Sequence, residues 1–210
     1  MNNLTQQKTY DLSGLTWVCA GAIISVAGWF TGIGLLVGFF LSIAGAVKLK
    51  DQGERFEKGV FQASLLSALI VLTIVEIISG RVQGTDILVT PSFIIVFACI
   101  AFAGYHWYNL LYGCKEIAEG NGDTALGKQC GHALAGFIAV LVLMLLDFRF
   151  GSYLPFKASI RISVINQSPS VIILLLWALL IVSVIASATV MRKVRDRYQD
   201  TPVVKTPDRD

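Results

Sequence analysis

Residues 171–191 read VIILLLWALLIVSVIASATVM, an apolar run of 21 residues closed by the basic segment RKVRDRYQD. A helix rises 1.5 Å per residue, so this run covers about 30 Å, the thickness of a bilayer's hydrocarbon core. It lacks the polar face that a surface helix of a soluble protein keeps toward water. The stretch therefore reads as a transmembrane helix. Working back from it, Gly131–Leu146, Ser92–Tyr112 and Val60–Ser79 are further apolar stretches separated by polar connectors. The block Leu15–Leu49 is 35 residues long, too long for one ordinary span.

Small residues divide that block. Gly21, Ser25, Gly28 and Gly32 share one helical face, while Gly34, Gly38, Ser42 and Gly45 share another that does not align with the first. A break near Trp29–Gly32 gives two spans, 14–30 and 32–49, expected to pack closely through Gly21, Gly28, Gly32, Gly34, Gly38 and Gly45. The first is short for a crossing, so a re-entrant segment is its alternative. The expected fold is thus all-α, a polytopic transmembrane bundle of about six spans with short loops. Residues 1–13 form a cytoplasmic N-terminal segment, 14–191 the membrane domain, and 192–210 a basic tail expected to be disordered.

Composition agrees. Of 210 residues, 55% are hydrophobic and 15% charged, with a mean hydropathy of +0.68; soluble domains carry about 25% charged residues. Six spans leave no room for a separate soluble catalytic domain. A net charge of +3 gives no footprint for nucleic acid. The polar start, with only Lys8 and Asp11 charged before Gly14, does not resemble a cleavable signal peptide, and the N-terminus is read as retained.

Basic residues orient the chain. With the N-terminus, the 48–58 and 114–130 loops and the C-terminal tail on one side, thirteen lysines and arginines lie there and four opposite. The positive-inside rule then puts both termini in the cytoplasm and requires an even number of spans. Trp29, Trp107, Tyr108, Tyr112 and Tyr153, near span ends, fit an interfacial belt. The expected location is a plasma membrane, the bacterial inner membrane first among them.

The cysteines at 19, 99, 114 and 130 do not make a disulfide framework: two fall within spans and two on the reducing side. Cys114, Cys130 and His132 match no zinc spacing, so no metal and no cofactor is expected. Phosphate-loop, zinc-protease and nucleophile-elbow motifs are all missing from the sequence. A loop-and-span unit recurs loosely, with Lys58 before Glu76 and Lys128 before Asp147, and the two copies align only with slippage of two or three residues.

Three groups of residues invite a function. Glu76 lies among isoleucines and valine, where a carboxylate costs several kcal/mol. With Arg81, Asp147 and Arg149 at similar depth it forms an expected outer polar cluster, read first as a helix clamp and second as a proton or cation site. His106, Asn109 and Tyr112 share a helical face as a polar patch toward the cytoplasmic end of the fourth span. The glycines above form the third group. No catalytic constellation stands out, so the expected activity is non-enzymatic: helix packing with the bilayer, another membrane protein or a second copy, in an accessory, immunity-type or scaffold role. The alternative is a small channel or transporter.

Overall fold

The computed structural model describes residues 9–27, 33–65, 91–150 and 171–203. Among them the chain is all-α, and its one β feature is an isolated bridge between Thr9 and Pro202. The helices are α1 (Ser13–Ala27), α2 (Ile33–Leu49), α3 (54–65), α4 (Pro91–Gly120), α5 (Thr124–Phe150) and α6 (Val171–Tyr198), with a 3-10 turn at Lys50–Gln52 after α2. Gly14 meets Gly45 and Gly21 meets Gly38, so α1 and α2 run antiparallel and the long apolar block divides between them; residues 28–32 lie outside the described chain.

Glycine decides how α1 meets α2. The backbones of Gly21 and Gly38 lie against each other, as do those of Gly14 and Gly45. A Cβ on Gly45 would stand 2.5 Å from the Gly14 carbonyl oxygen and 2.7 Å from the Val18 nitrogen, well inside contact distance. The absence of side chains at these four positions is what lets the two helices approach so closely. Gly34 is half-buried on α2, and Gly28 and Gly32 fall outside the described residues. Gly14, the first residue of the expected 14–30 span, belongs to the same seam although it is not among the glycines expected there.

The polar segments meet at one end of the bundle. Asp11 N donates to Gln52 Oε1 (2.9 Å), Leu12 N to Gln199 Oε1 (2.7 Å), and Arg55 pairs with Glu116 (3.5 Å). Helices α1, α3 and α5 therefore leave this end, and α2, α4 and α6 return to it. Here the interior is tightest: Leu12, Leu15, Leu49, Phe56, Leu111 and Met191 are essentially inaccessible. Around the helices the pattern inverts. Phe40 on α2, Phe61 on α3, and Leu175 and Val182 on α6 are 59–64% exposed.

Two stretches among the described residues, Thr124–Met144 and Leu174–Tyr198, are long and apolar enough to cross a bilayer. Length and composition alone are weak support for membrane insertion, because the core helix of a soluble protein passes the same test. Such a core helix is mostly buried, however, and here 33% and 28% of the residues are. Ser13–Ser25 is apolar but shorter.

Two connectors differ from the reading of the sequence. The polar segment 114–130, expected as a loop or a short surface helix, is helical as the continuation of its neighbours: α4 runs to Gly120 and α5 starts at Thr124. Between them Gly122 takes a positive φ of 81° and Asp123 N closes onto the Ala118 carbonyl (2.8 Å), a tight C-cap. Hydropathy marks where apolar residues stop, and a helix that emerges into water continues on charged pairs such as Lys115–Glu119 (3.7 Å). The tail expected to be disordered from residue 192 is helical to Tyr198, with Arg192–Asp196 (3.6 Å) as its pair. It then folds back on the N-terminal segment. Tyr10 N donates to the Thr201 carbonyl and Asp200 N to the Tyr10 carbonyl, both at 2.9 Å.

Candidate functional site

The most distinctive chemistry lies where α3 crosses α4. Phe56 and Gly59 face α4, and a Cβ on Gly113 would sit 2.8 Å from the Phe56 ring. That close approach carries buried polar groups into register one turn further on. His106 Nδ1 lies 2.8 Å from the Gly59 carbonyl oxygen. A carbonyl can only accept, so Nδ1 carries the proton and, in the neutral ring, Nε2 is left as an acceptor. Asn109 spends both amide hydrogens, one on Gln62 Oε1 (2.7 Å) and one on the Tyr105 carbonyl (2.9 Å). Its Oδ1 is buried and has no hydrogen-bond partner among the described residues. Gln62, His106 and Asn109 are all buried.

Of the polar patch read from the sequence, His106 and Asn109 come together, and Tyr112 does not join them. Tyr112 instead ends a column of rings along α4, with Tyr105–Tyr108 centroids 5.9 Å apart and Tyr108–Tyr112 5.5 Å apart. The Arg55 guanidinium lies 4.4 Å from the Tyr112 centroid and the Lys115 ammonium 5.5 Å from it. Sequence reasoning missed Gln62, whose amide is hidden in an otherwise apolar run. The signal available was that Gln62 follows Gly59 by three residues, on the face that packs closest.

A second polar hub joins the helix ends. Asp123 Oδ1 accepts from Leu126 N (3.0 Å), capping α5, while Oδ2 takes Arg197 (2.7 Å) and the Tyr198 hydroxyl (3.4 Å). Beside the end of α6, Asp11 accepts from Ser13 N (3.1 Å). Hydrogen bonding from Ser13 holds the Asp11 carboxyl below its usual range. Burial pushes the Cys114 thiol well above its ordinary value, which leaves it protonated and unreactive.

The expected outer cluster is not placed: Glu76 and Arg81 lie outside the described residues, as do the side chains of Asp147 and Arg149 near the end of α5. Cys114 and Cys130 are both buried while His132 is exposed, so the three do not converge. Among the described residues no group of three or more His, Cys, Asp or Glu could hold a metal ion. The fold and site together define an all-α helical bundle with an apolar exterior, a packed polar end and a buried amide–imidazole pin. Compared with known protein families, curated proteins and solved structures, the chain matches none.

Proposed function

We propose that this chain is a multi-pass protein of a plasma membrane, the bacterial inner membrane, with six crossings and both termini cytoplasmic. In this reading it works without catalysis, through helix packing with membrane partners, as an accessory, immunity-type or scaffold component. The observation that carries the membrane part is the inverted surface: large apolar side chains stand exposed on α2, α3, α5 and α6, while the charged segments gather at one end. Soluble monomers rarely leave apolar patches of more than a few hundred Å² in water. The meeting of residues 9–12, 50–56, 117–124 and 195–203 at one end supports an even number of crossings.

A packing role draws support from the α1–α2 seam, where four glycines are committed to one close contact. Reporter fusions at residue 85, within 155–165 and after residue 200 test the topology, and an external C-terminus would refute it. Purification in mild detergent tests the role, and a stoichiometric membrane partner is the expected result.

A channel or transporter is the second reading, favoured by the unpartnered Asn109 Oδ1 beside an imidazole acceptor in the bundle interior. Glu76→Gln distinguishes the two. A stable protein that has lost a proton-linked flux in vesicles would establish transport, whereas lowered thermal stability with no flux in either form supports the clamp.

A further inference from the structure

Lys193, at the packed end, holds no carboxylate among the described residues. Its ammonium bonds the Gln129 amide oxygen (3.1 Å), whereas Arg55, Lys58, Lys115, Arg192, Arg195 and Arg197 each hold a carboxylate and, among the described residues, Lys50 and Lys128 line no groove with a second cation. It stands with Arg197 over a groove of about 300 Å³ between the first turn of α5 and the last turns of α6, lined also by Asp123, Ala125, Leu126 and Gln129. Asp123 does not repel an anion strongly there. Its side chain is 12% exposed, one oxygen caps α5 and the other is neutralised by Arg197, itself 65% exposed with donors to spare. The groove is left with the net positive charge of Lys193, beside the positive end of the α5 dipole.

Away from the packed end, the helix faces that carry Lys193 and Gln129 become apolar. At 100° per residue, Leu175, Leu179, Val182 and Ala186 share the α6 face of Lys193. Leu175, Leu179 and Val182 are 59%, 48% and 63% exposed. On α5, Gly136 and Leu143 continue the line of Gln129, and a Cβ on Gly136 would meet open space. A cation at the foot of an exposed apolar helix face is complementary to an amphiphile whose charge is a phosphate and whose body is hydrocarbon.

We propose that this groove and the apolar faces above it bind one anionic phospholipid, its phosphate on Lys193 and Arg197 and an acyl chain along Val182 and Gly136. The proposal rests on the membrane reading above and adds to it a defined lipid site. A juxtamembrane lysine or arginine gives about fivefold in affinity for anionic lipid.

The test is native mass spectrometry of the detergent-purified full chain, titrated with phosphatidylglycerol and with phosphatidylcholine. Wild type should retain phosphatidylglycerol, with Lys193→Gln binding about fivefold more weakly and Lys193→Gln/Arg197→Gln about thirtyfold more weakly. Arg192→Gln, on an exposed guanidinium paired with Asp196, should change binding less than twofold. Because Arg197 also holds Asp123, the single Lys193 variant keeps the test valid if the double variant does not fold. Equal losses from Lys193→Gln and Arg192→Gln, or no preference for phosphatidylglycerol over phosphatidylcholine, would overturn the proposal. So would displacement of the lipid by millimolar inorganic phosphate, which would mark a free-anion site. Carbonate extraction of native membranes separates the two failures: protein released into the wash refutes the membrane reading and the lipid site with it, and protein retained without lipid preference refutes the site alone.

Discussion

Replacing one glycine by alanine should have opposite consequences at two positions of this bundle. At Gly38 an added Cβ meets the Gly21 carbonyl oxygen and the Ser25 backbone nitrogen, atoms that move only if α1 moves. Overpacking of this kind costs about 1–3 kcal/mol, and obstruction by backbone puts Gly38→Ala at the upper end. Alanine returns about 1 kcal/mol of helix propensity, leaving a net loss of about 2 kcal/mol. For a chain of this size that is a fall of about 4–8 °C in melting temperature. At Gly136 the same Cβ meets nothing within 4 Å. Only the propensity gain remains, and Gly136→Ala should raise the melting temperature by about 2–4 °C. Scanning fluorimetry in one detergent measures both. Gly21→Ala/Gly38→Ala should lose less than the sum of the single losses, because the first Cβ has already parted the helices. If Gly38→Ala stabilises as Gly136→Ala does, the close seam between α1 and α2 is wrong.

Three further outcomes follow from particular contacts. Gln62→Leu removes the acceptor of an Asn109 amide hydrogen and should destabilise by about 1–3 kcal/mol; with Asn109→Leu added, the double variant should recover part of that loss in the same melting assay. Asp123→Ala removes the α5 cap and should lower stability by about 1 kcal/mol, with faster amide hydrogen exchange in residues 124–127. Asp11 has its carboxyl pKa lowered by Ser13, so its contribution is full above the unfolded-state value of about 3.9 and is lost as pH falls through the lower folded value. Unfolding midpoints of wild type and Asp11→Asn should therefore differ at pH 7 and converge once the pH has fallen below the depressed folded value.

Hydropathy made the helical class and the positions of α1, α2 and α6 legible, because the apolar residues that define them recur without regard to tertiary context. The split of Leu15–Leu49 was readable from two glycine faces that cannot belong to one helix. What escaped the sequence was of two kinds. Helix ends that emerge from apolar surroundings, at 113–120 and 192–198, continue on i,i+4 charge pairs that a hydropathy window takes for loop. Pairings across the bundle, such as Asn109 with Gln62 and Asp123 with Arg197, depend on which helices become neighbours, and no local pattern encodes that. His106 and Asn109 were visible as a shared face; Tyr112, one turn on, turned out to belong to the aromatic column.

The clasp between Tyr10 and Thr201 bears on the order of assembly. Helix α6 packs on α1 as well as on α4 and α5, and the hydrogen bonds that fasten Tyr10 are supplied by residues 200 and 201. During synthesis α1 therefore waits until residues 171–201 have been made before this neighbour exists. The α1–α2 hairpin, already zipped by its glycines, can hold that helix in the interim. The closing contact then forms between the two most sequence-distant described segments, so a ribosome stalled before α6 should yield the α1–α2 hairpin and the α3–α4–α5 unit without the α6 contacts that fasten α1 to α4 and α5.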